Sequence, residues 1–363
     1  MKTLAAISRK GAPAPEIEMV DIEPPRAGEI LVRLVATGVC HTDLKVHARP
    51  EPKPIVLGHE GAGIIERVGA RVESLKPGDH VVLSFNWCGT CPSCMRGDHS
   101  YCYGILPRNF GGLREDGTSP LARRGERLFA NFFGQSSFAH YAIANDHAAV
   151  KVERDLPLEL LGPLACGIQT GAGAVLNAFK LRPGQSLAVF GSGSVGLSAV
   201  MAARLAGASR IIAIDVVPAR LALAKELGAT DVIDARNTNA VQAIKALLPY
   251  GVDFSFNTTQ VPAIYTQALE CLAMHGAAGF VAAPDGDWAP PIYPMLAGGQ
   301  RLQAVLTGDA TPATFIPMLI DYYRQGRFPF DRLIRFYPFE KIADAFHDSA
   351  TGSAIKPVLL MPS

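Results

Sequence analysis

Apolar residues fall into two textures along this chain. Up to about residue 85 they come in short runs broken by glycine and turn residues. Glu29-Ile-Leu-Val-Arg-Leu-Val-Ala-Thr37 and His80-Val-Val-Leu83 read as strands. Gly61-Ala-Gly-Ile-Ile-Glu-Arg-Val-Gly69 reads as a strand in a tightly bent sheet, because glycine inside a strand marks a bend or a close approach. Lys76-Pro-Gly-Asp79 is a turn, and Pro24-Pro25 and Pro50-Glu-Pro-Lys-Pro54 are loop material. Residues 86–135 hold a cysteine cluster and then a polar stretch, 108–134, that reads as excursion loops. From about residue 155 helical and strand patterns alternate. Helices are expected over 159–179, 218–228, 238–248, 262–274 and 311–325. Strands are expected over 186–190, 210–215, 231–234, 252–257, 277–282 and near 357–361, with a further apolar run at 302–306. Such βαβ alternation predicts a parallel sheet wrapped by helices. There are no repeats, heptads or low-complexity segments.

One unit in this series carries chemistry. Ser186-Leu-Ala-Val-Phe-Gly191-Ser-Gly193-Ser-Val-Gly196 is a buried strand, a G-x-G-x-x-G loop and the start of a helix. Gly191 permits the tight turn, Gly193 lets the backbone approach a pyrophosphate, and Gly196 lets helix and strand pack closely. The helix N-terminus offers free N–H groups to the phosphates. The next strand ends at Asp215, 19 residues past Gly196, where an acceptor for ribose hydroxyls belongs. Asp215 repels a 2′-phosphate and Val216-Val217-Pro218 supplies no cation, so NAD is expected over NADP. Arg220 is five residues on and within reach of the adenosine ribose.

The chain has 363 residues, so two domains are the natural expectation. A hydrophobic fraction of 48% suffices for sizeable cores, and Lys+Arg minus Asp+Glu is 34 − 33, or +1. Nothing in that balance points to nucleic acid, an acidic partner or a membrane surface. The apolar run at the amino terminus is too short for a signal peptide, and no uninterrupted apolar stretch reaches membrane-spanning length, so a cytoplasmic setting is expected. Seven cysteines are present, an odd number, and four of them lie within residues 88–102. Cys88, Cys91, Cys94 and Cys102 have the spacing of a closed tetrahedral zinc site, which is structural because no position stays open. The bacterial iron–sulfur run needs a gap of three and a following proline, which this sequence lacks. Disulfides have no support from a secretory context.

Three further settings stand out: Gly38-Val-Cys40-His-Thr-Asp43, Gly58-His59-Glu60-Gly61 and Leu164-Ala-Cys166-Gly-Ile-Gln-Thr-Gly171. Singly each is weak, and Cys271 reads as a buried apolar residue. Together with the cysteine cluster and the glycine loop they resemble the zinc-containing medium-chain alcohol dehydrogenases over essentially the whole chain. Arg108-Asn-Phe-Gly111, Phe133-Gly-Gln-Ser-Ser-Phe138 and Tyr323-Arg-Gln-Gly-Arg-Phe-Pro-Phe-Asp-Arg332 are similar to the benzyl (aryl) alcohol branch, with relatives that take geraniol- and perillyl-type alcohols.

The resemblance implies an α/β protein with a GroES-like, mostly β catalytic domain over 1–167 and 308–363. The structural zinc lobe lies there at about 86–103, and a Rossmann NAD-binding domain spans 168–307. It implies a second, catalytic zinc on Cys40, His59 and Cys166, with Glu60 either just behind the ligands or a transient ligand itself, and Asp43 orienting His59. Thr42 would take the alcohol proton. His41 and Lys356 would meet the pyrophosphate, and Val195, Thr170 and Val281 would join the cofactor contacts. The family's usual arginine and relay histidine are replaced by His41 and Lys45, so the proton relay ends at Lys45, at His47 or in bulk water. Phe85, Phe110 and Phe138, with Trp87 near, are the expected apolar lining of the substrate pocket. The implied reaction is NAD-dependent oxidation of aromatic or allylic primary alcohols. Rival expectations are a polyol or a glutathione–formaldehyde adduct as substrate, or a non-enzymatic dinucleotide-binding protein. The 302–306 run would pair across a two-fold to give a homodimer or homotetramer.

Overall fold

The computed structural model describes residues 1–48, 53–124 and 126–362. Part of the expected loop at 50–54 lies outside the described residues. The chain divides into two compact units. One comprises Met1–Cys166, Thr311–Leu319 and Asp331–Ser363, and the other Gly167–Ala310 and Ile320–Phe330.

The second unit is built on six strands. Their order is Asp231–Asp234, Arg210–Asp215, Ser186–Phe190, Val252–Asn257, Leu272–Phe280 and Arg301–Ala304, and every pairing is parallel. Ser186–Phe190 is buried at every position, as a central parallel strand covered on both faces must be. Sequence order reverses between Ser186–Phe190 and Val252–Asn257, which places the glycine loop at the switch point of a doubly wound sheet. Helix Ala240–Leu247 begins later than expected, because the Asn239 side chain caps it by accepting from the Gln242 N–H. The helix expected over 262–274 stops at Glu270. Leu272 and Met274 instead open strand Leu272–Phe280, whose Leu272 pairs with Val252. A short apolar run fits either period, and strand pairing decided it. The helix expected over 159–179 is broken into turns at Leu158–Leu160 and Gly162–Ala165, a helix Gly167–Gly173 and a π-turn Ala174–Ala178. Gly173 sits against the Gly308 backbone, where a Cβ would clash.

The first unit is mostly antiparallel. Strand Glu29–Gly38 is its hub: it pairs with Gly61–Val68, Tyr141–Asn145 and the carboxy-terminal Lys356–Leu360. Thr37 faces Gly61 across one ladder, and Gly38 faces Val358 across the other. Residues far apart in sequence thereby meet at one strand end. The region expected to be excursion loops, 108–134, has regular structure. It takes in the end of helix Ile105–Phe110, strands Leu121–Arg123 and Glu126–Arg127 and a turn at Phe132–Gly134. Phe85, Phe132, Phe138, Phe339 and Phe346 form the aromatic part of the core.

Candidate active site and metal centres

The four-cysteine cluster is shaped by its own backbone. The sulfurs of Cys88, Cys91, Cys94 and Cys102 lie within 4.8 Å of one another. The N–H groups of Thr90 and Cys91 point at the Cys88 sulfur at 3.4 and 3.2 Å, and those of Cys88 and Gly104 point at Cys102 at 3.3 and 3.4 Å. Gly89 and Gly97 take positive φ, 74° and 85°, to make the turns. The Thr90 N–H, with help from Cys91, brings the Cys88 thiol down to about 5, while burial pushes Cys94 up to about 12. No cysteine is in a disulfide. Four thiols with backbone donors aimed at their sulfurs suit a dication that takes four thiolates.

The second cluster, Cys40, His59, Glu60 and Cys166, also has its donor atoms within 4.8 Å. Cys40 caps the short helix His41–His47. Asp43, fully buried in that helix, accepts from the backbone N–H groups of Cys40 at 2.9 Å and Gly58 at 3.0 Å, and from His59 Nδ1 at 3.0 Å. That last bond fixes the tautomer and turns Nε2 toward the sulfurs, 3.2 Å from Cys166; the two sulfurs are 3.9 Å apart. Burial disfavours the His59 imidazolium, but the Asp43 carboxylate outweighs it and lifts the ring above its ordinary range. The hydrogen bond from Cys166 holds the Cys40 thiol well below its usual value against the effect of burial. Two thiols and an oriented imidazole are a donor set that fits zinc.

Other candidates fall differently. Thr42 is half-buried, its hydroxyl 3.8 Å from the Cys40 sulfur. His41 is exposed in the same helix. Lys356 corrects an expectation. It is 1% exposed, and its ammonium is bound to both Glu60 oxygens at 2.8 and 3.0 Å and to the Val39 carbonyl. A buried cation so paired is not held out to a phosphate, and Glu60 keeps it charged against the effect of burial. Gly38 leaves room for this pair, since a Cβ there would strike Glu60. His47 is likewise engaged: Nε2 donates to the Ala12 carbonyl at 2.9 Å and Nδ1 pairs with the Ser8 hydroxyl at 3.0 Å. Both its ring nitrogens serve the fold.

The expected aromatic lining is also corrected. Phe138 is fully buried under Gly58 and against Phe346, and Phe85 is 1% exposed beside Trp87; both are core. Phe110 does face the cluster's neighbourhood, edge-on to Phe132 and Phe133. Phe133 stacks on the His59 ring at 4.4 Å, and Phe132 meets the same ring edge-on. Phe132 was not singled out from sequence, and Phe133 and Gln135 entered only within the stretch Phe133–Phe138 that resembles the aryl branch, with no role at the site. Their signal was a pair of aromatics before Gly134 at the end of a polar stretch.

In the second unit the glycine loop has the required shape. Gly191 has φ +92°, and a Cβ there would strike Thr258. A Cβ on Gly196 would strike the Gly191 carbonyl, whereas Gly193 faces open space. That open face at the cap of helix Ser194–Leu205, beside Val195, is a cradle for phosphate. Asp215 is 8% exposed and accepts from the N–H groups of Ser192, Val216 and Val217. Arg220 is half-buried on helix Pro218–Leu227, Thr170 is buried in Gly167–Gly173, and half-buried Val281 follows strand Leu272–Phe280.

Residues 26–154 match the alcohol dehydrogenase GroES-like domain, and residues 194–321 the zinc-binding dehydrogenase domain. Over 361 residues, covering 98% of this chain and 97% of the relative, the sequence is 48% identical to a geraniol dehydrogenase of Castellaniella defragrans. The chain belongs to the zinc-containing medium-chain alcohol dehydrogenases. This dehydrogenase is also similar, over the full length of both chains, to two solved structures. One is a benzyl alcohol dehydrogenase of Acinetobacter calcoaceticus, 44% identical with a TM-score of 0.96. The other is an alcohol dehydrogenase zinc-binding domain protein of Burkholderia ambifaria, 49% identical with a TM-score of 0.97. It is an oxidoreductase whose cofactors are zinc and NAD. Among the described residues no helix is long and apolar enough to cross a membrane.

Proposed function

We propose that this dehydrogenase interconverts aromatic or allylic primary alcohols, of the benzyl, cinnamyl, geranyl and perillyl type, with their aldehydes: R–CH2OH + NAD⁺ gives R–CHO + NADH + H⁺. The observation that carries the reading is Phe133 stacked on the His59 ring, with half-buried Phe110 edge-on to it, beside a cluster that has a histidine and an added carboxylate. Flat π-bonded substrates pack well on such rings. The named activities of the geraniol and benzyl alcohol relatives support it.

Bound zinc supplies a Lewis acid that polarises the substrate oxygen and eases loss of the hydroxyl proton. The chain does the rest. Cys40, His59 and Cys166 hold the metal, and Asp43 keeps His59 Nε2 turned toward it. Thr42 accepts the alcohol proton and passes it toward Lys45 or water. Gly191, Gly193, Val195 and Gly196 cradle the pyrophosphate, and Asp215 takes the ribose hydroxyls, with Arg220, His41, Thr170 and Val281 as further cofactor contacts. Cys88, Cys91, Cys94 and Cys102 close a structural site. In this reading unit Gly167–Ala310 binds NAD, and the unit containing Met1–Cys166 binds the alcohol.

The outer edge of strand Arg301–Ala304 ends the parallel sheet, and helix Ile292–Gly298 exposes Ile292, Tyr293 and Leu296. Both features support pairing with a second copy, as a dimer or a dimer of dimers, in the cytoplasm. The activity is tested by NADH absorbance with benzyl, cinnamyl, geranyl and perillyl alcohols, ethanol, a polyol and the glutathione–formaldehyde adduct. The first four are expected to give the highest kcat/KM. A polyol, the adduct or ethanol as the best substrate would overturn the reading.

A further inference from the structure

Residues 132–138 wrap around the segment that carries His59, and one side chain closes the wrap. Gln135 is 1% exposed, and all its polar atoms are used. Its amide nitrogen lies 3.1 Å from the His59 carbonyl, 3.1 Å from the Leu83 carbonyl and 3.2 Å from the Ser84 carbonyl. Its amide oxygen lies 3.1 Å from the Gly61 N–H. Carbonyls only accept and an N–H only donates, so a single orientation of the amide satisfies the set. Gln135 therefore grips the backbone on both sides of Glu60, at the His59 carbonyl and the Gly61 N–H, and ties it to the end of strand His80–Leu83.

The same loop also holds the ring. Phe133, two residues before Gln135, stacks on His59 from a left-handed backbone, φ 51°, and Ser136 has φ 50°. Such conformations are unfavourable for residues other than glycine and persist only where surroundings impose them. The Ser136 hydroxyl accepts from the Phe132 N–H and donates to the Val56 carbonyl, at 2.8 and 2.6 Å. The Ser137 and Phe138 N–H groups bond the Gly58 and Leu57 carbonyls. Asp43 holds the His59 ring at Nδ1 and the Cys166 sulfur lies against Nε2, while this loop supplies the aromatic contacts on the ring.

We infer that Gln135 is a positioning residue for the metal centre: by holding the His59 carbonyl and the Phe133 loop together, it sets how firmly the Cys40–His59–Cys166 set retains zinc. This rests on His59 being a ligand. Gln135 touches none of the four cysteines at 88–102 in any hydrogen bond described, so that site is an internal control.

Holoenzyme is mixed with a chromogenic zinc chelator and release is followed as two phases. The phase of the Cys40–His59–Cys166 site is identified by its loss in Cys40→Ser. Gln135→Met, which keeps the volume and removes the bonds, is expected to speed that phase by about 10–100-fold. The four-cysteine phase should stay as in the parent. If Gln135→Met does not fold, Gln135→Asn, with the amide one methylene short, decides by the same two phases and with the same expected sign. Both phases accelerating together, or no change in either, overturns the proposal. A parent whose release is unaltered by His59→Asn refutes the ligand reading itself, and the role of Gln135 with it.

Discussion

Cys88 and Cys102 are 14 positions apart, and the donors that shape their cluster are N–H groups of the same loop. Cys40 and Cys166 are 126 positions apart, and their cluster depends on Asp43, Gln135, Phe133 and the ladders of strand Glu29–Gly38. The first site is closed by four thiols of one kind. The second has two thiols, an oriented imidazole and a carboxylate whose charge is taken up by Lys356. Local closure makes a metal part of the folding of its own loop. Assembly from distant strands makes a site that the fold must already hold in place, where ligand geometry is open to chemistry. On the proposed roles, the difference between a structural and a working metal centre is written in sequence separation and in who supplies the hydrogen bonds.

The sharpest break of this comparison is a pair of ligand variants. Cys40→Ser should abolish turnover while circular dichroism and Tm stay close to the parent. Cys91→Ser should first cost stability, with Tm lower by roughly 5–10 °C for a few kcal/mol lost. Equal loss of Tm in both variants would erase the division of roles. Thr42→Ala should lower kcat by about 10²–10⁴-fold, as expected when a proton-transfer group is removed, and Thr42→Ser should keep most of the activity. Full activity in Thr42→Ala would take Thr42 out of the proton path.

A third test sets the locally encoded dinucleotide site beside the locally encoded cysteine loop. Asp215→Ser with Val216→Arg should move the kcat/KM ratio toward NADP by about tenfold or more, the worth of one good charge contact. It should also lose some stability, because Asp215 holds three backbone N–H groups. A parent that uses NADP as readily as NAD would show that Asp215 does not select. The smallest effect on catalysis is expected from His47→Ala. Both its nitrogens serve the fold, so kcat and its pH profile should hold while stability falls by about 1–2 kcal/mol in denaturant titration. A pH-dependent loss of kcat would restore His47 to the relay.

Much of the fold was legible because its signals are local. The strand, glycine loop and helix at 186–205 declare themselves by a buried run and three glycines, and Asp215 by its place at a strand end. Where local signals were ambiguous the reading slipped. The apolar residues at 272–274 fit helix and strand alike, and only pairing with Val252 settled them. The polar stretch 108–134 gave no period, yet it contributes to a helix, two short strands and the turn that carries Phe133.

The sequence by itself determined the donors: six of the seven cysteines and His59, with Asp43 beside them, at settings that suit metal, and a glycine loop that suits a dinucleotide. Residue chemistry and short spacings are properties of the chain alone. Only the tertiary structure decided which of the polar and aromatic residues serve those donors. It put Lys356 on Glu60 instead of facing a phosphate, retired His47 into contacts with Ser8 and Ala12, and buried Phe138 and Phe85 in the core. It also brought Phe133 and Gln135 to His59. Those outcomes depend on strand register and on which buried polar group finds a partner, and both are settled by contacts between residues 35 to 296 positions apart. No local pattern carries that information, because the free energy that selects it is gained only when the distant segments have met.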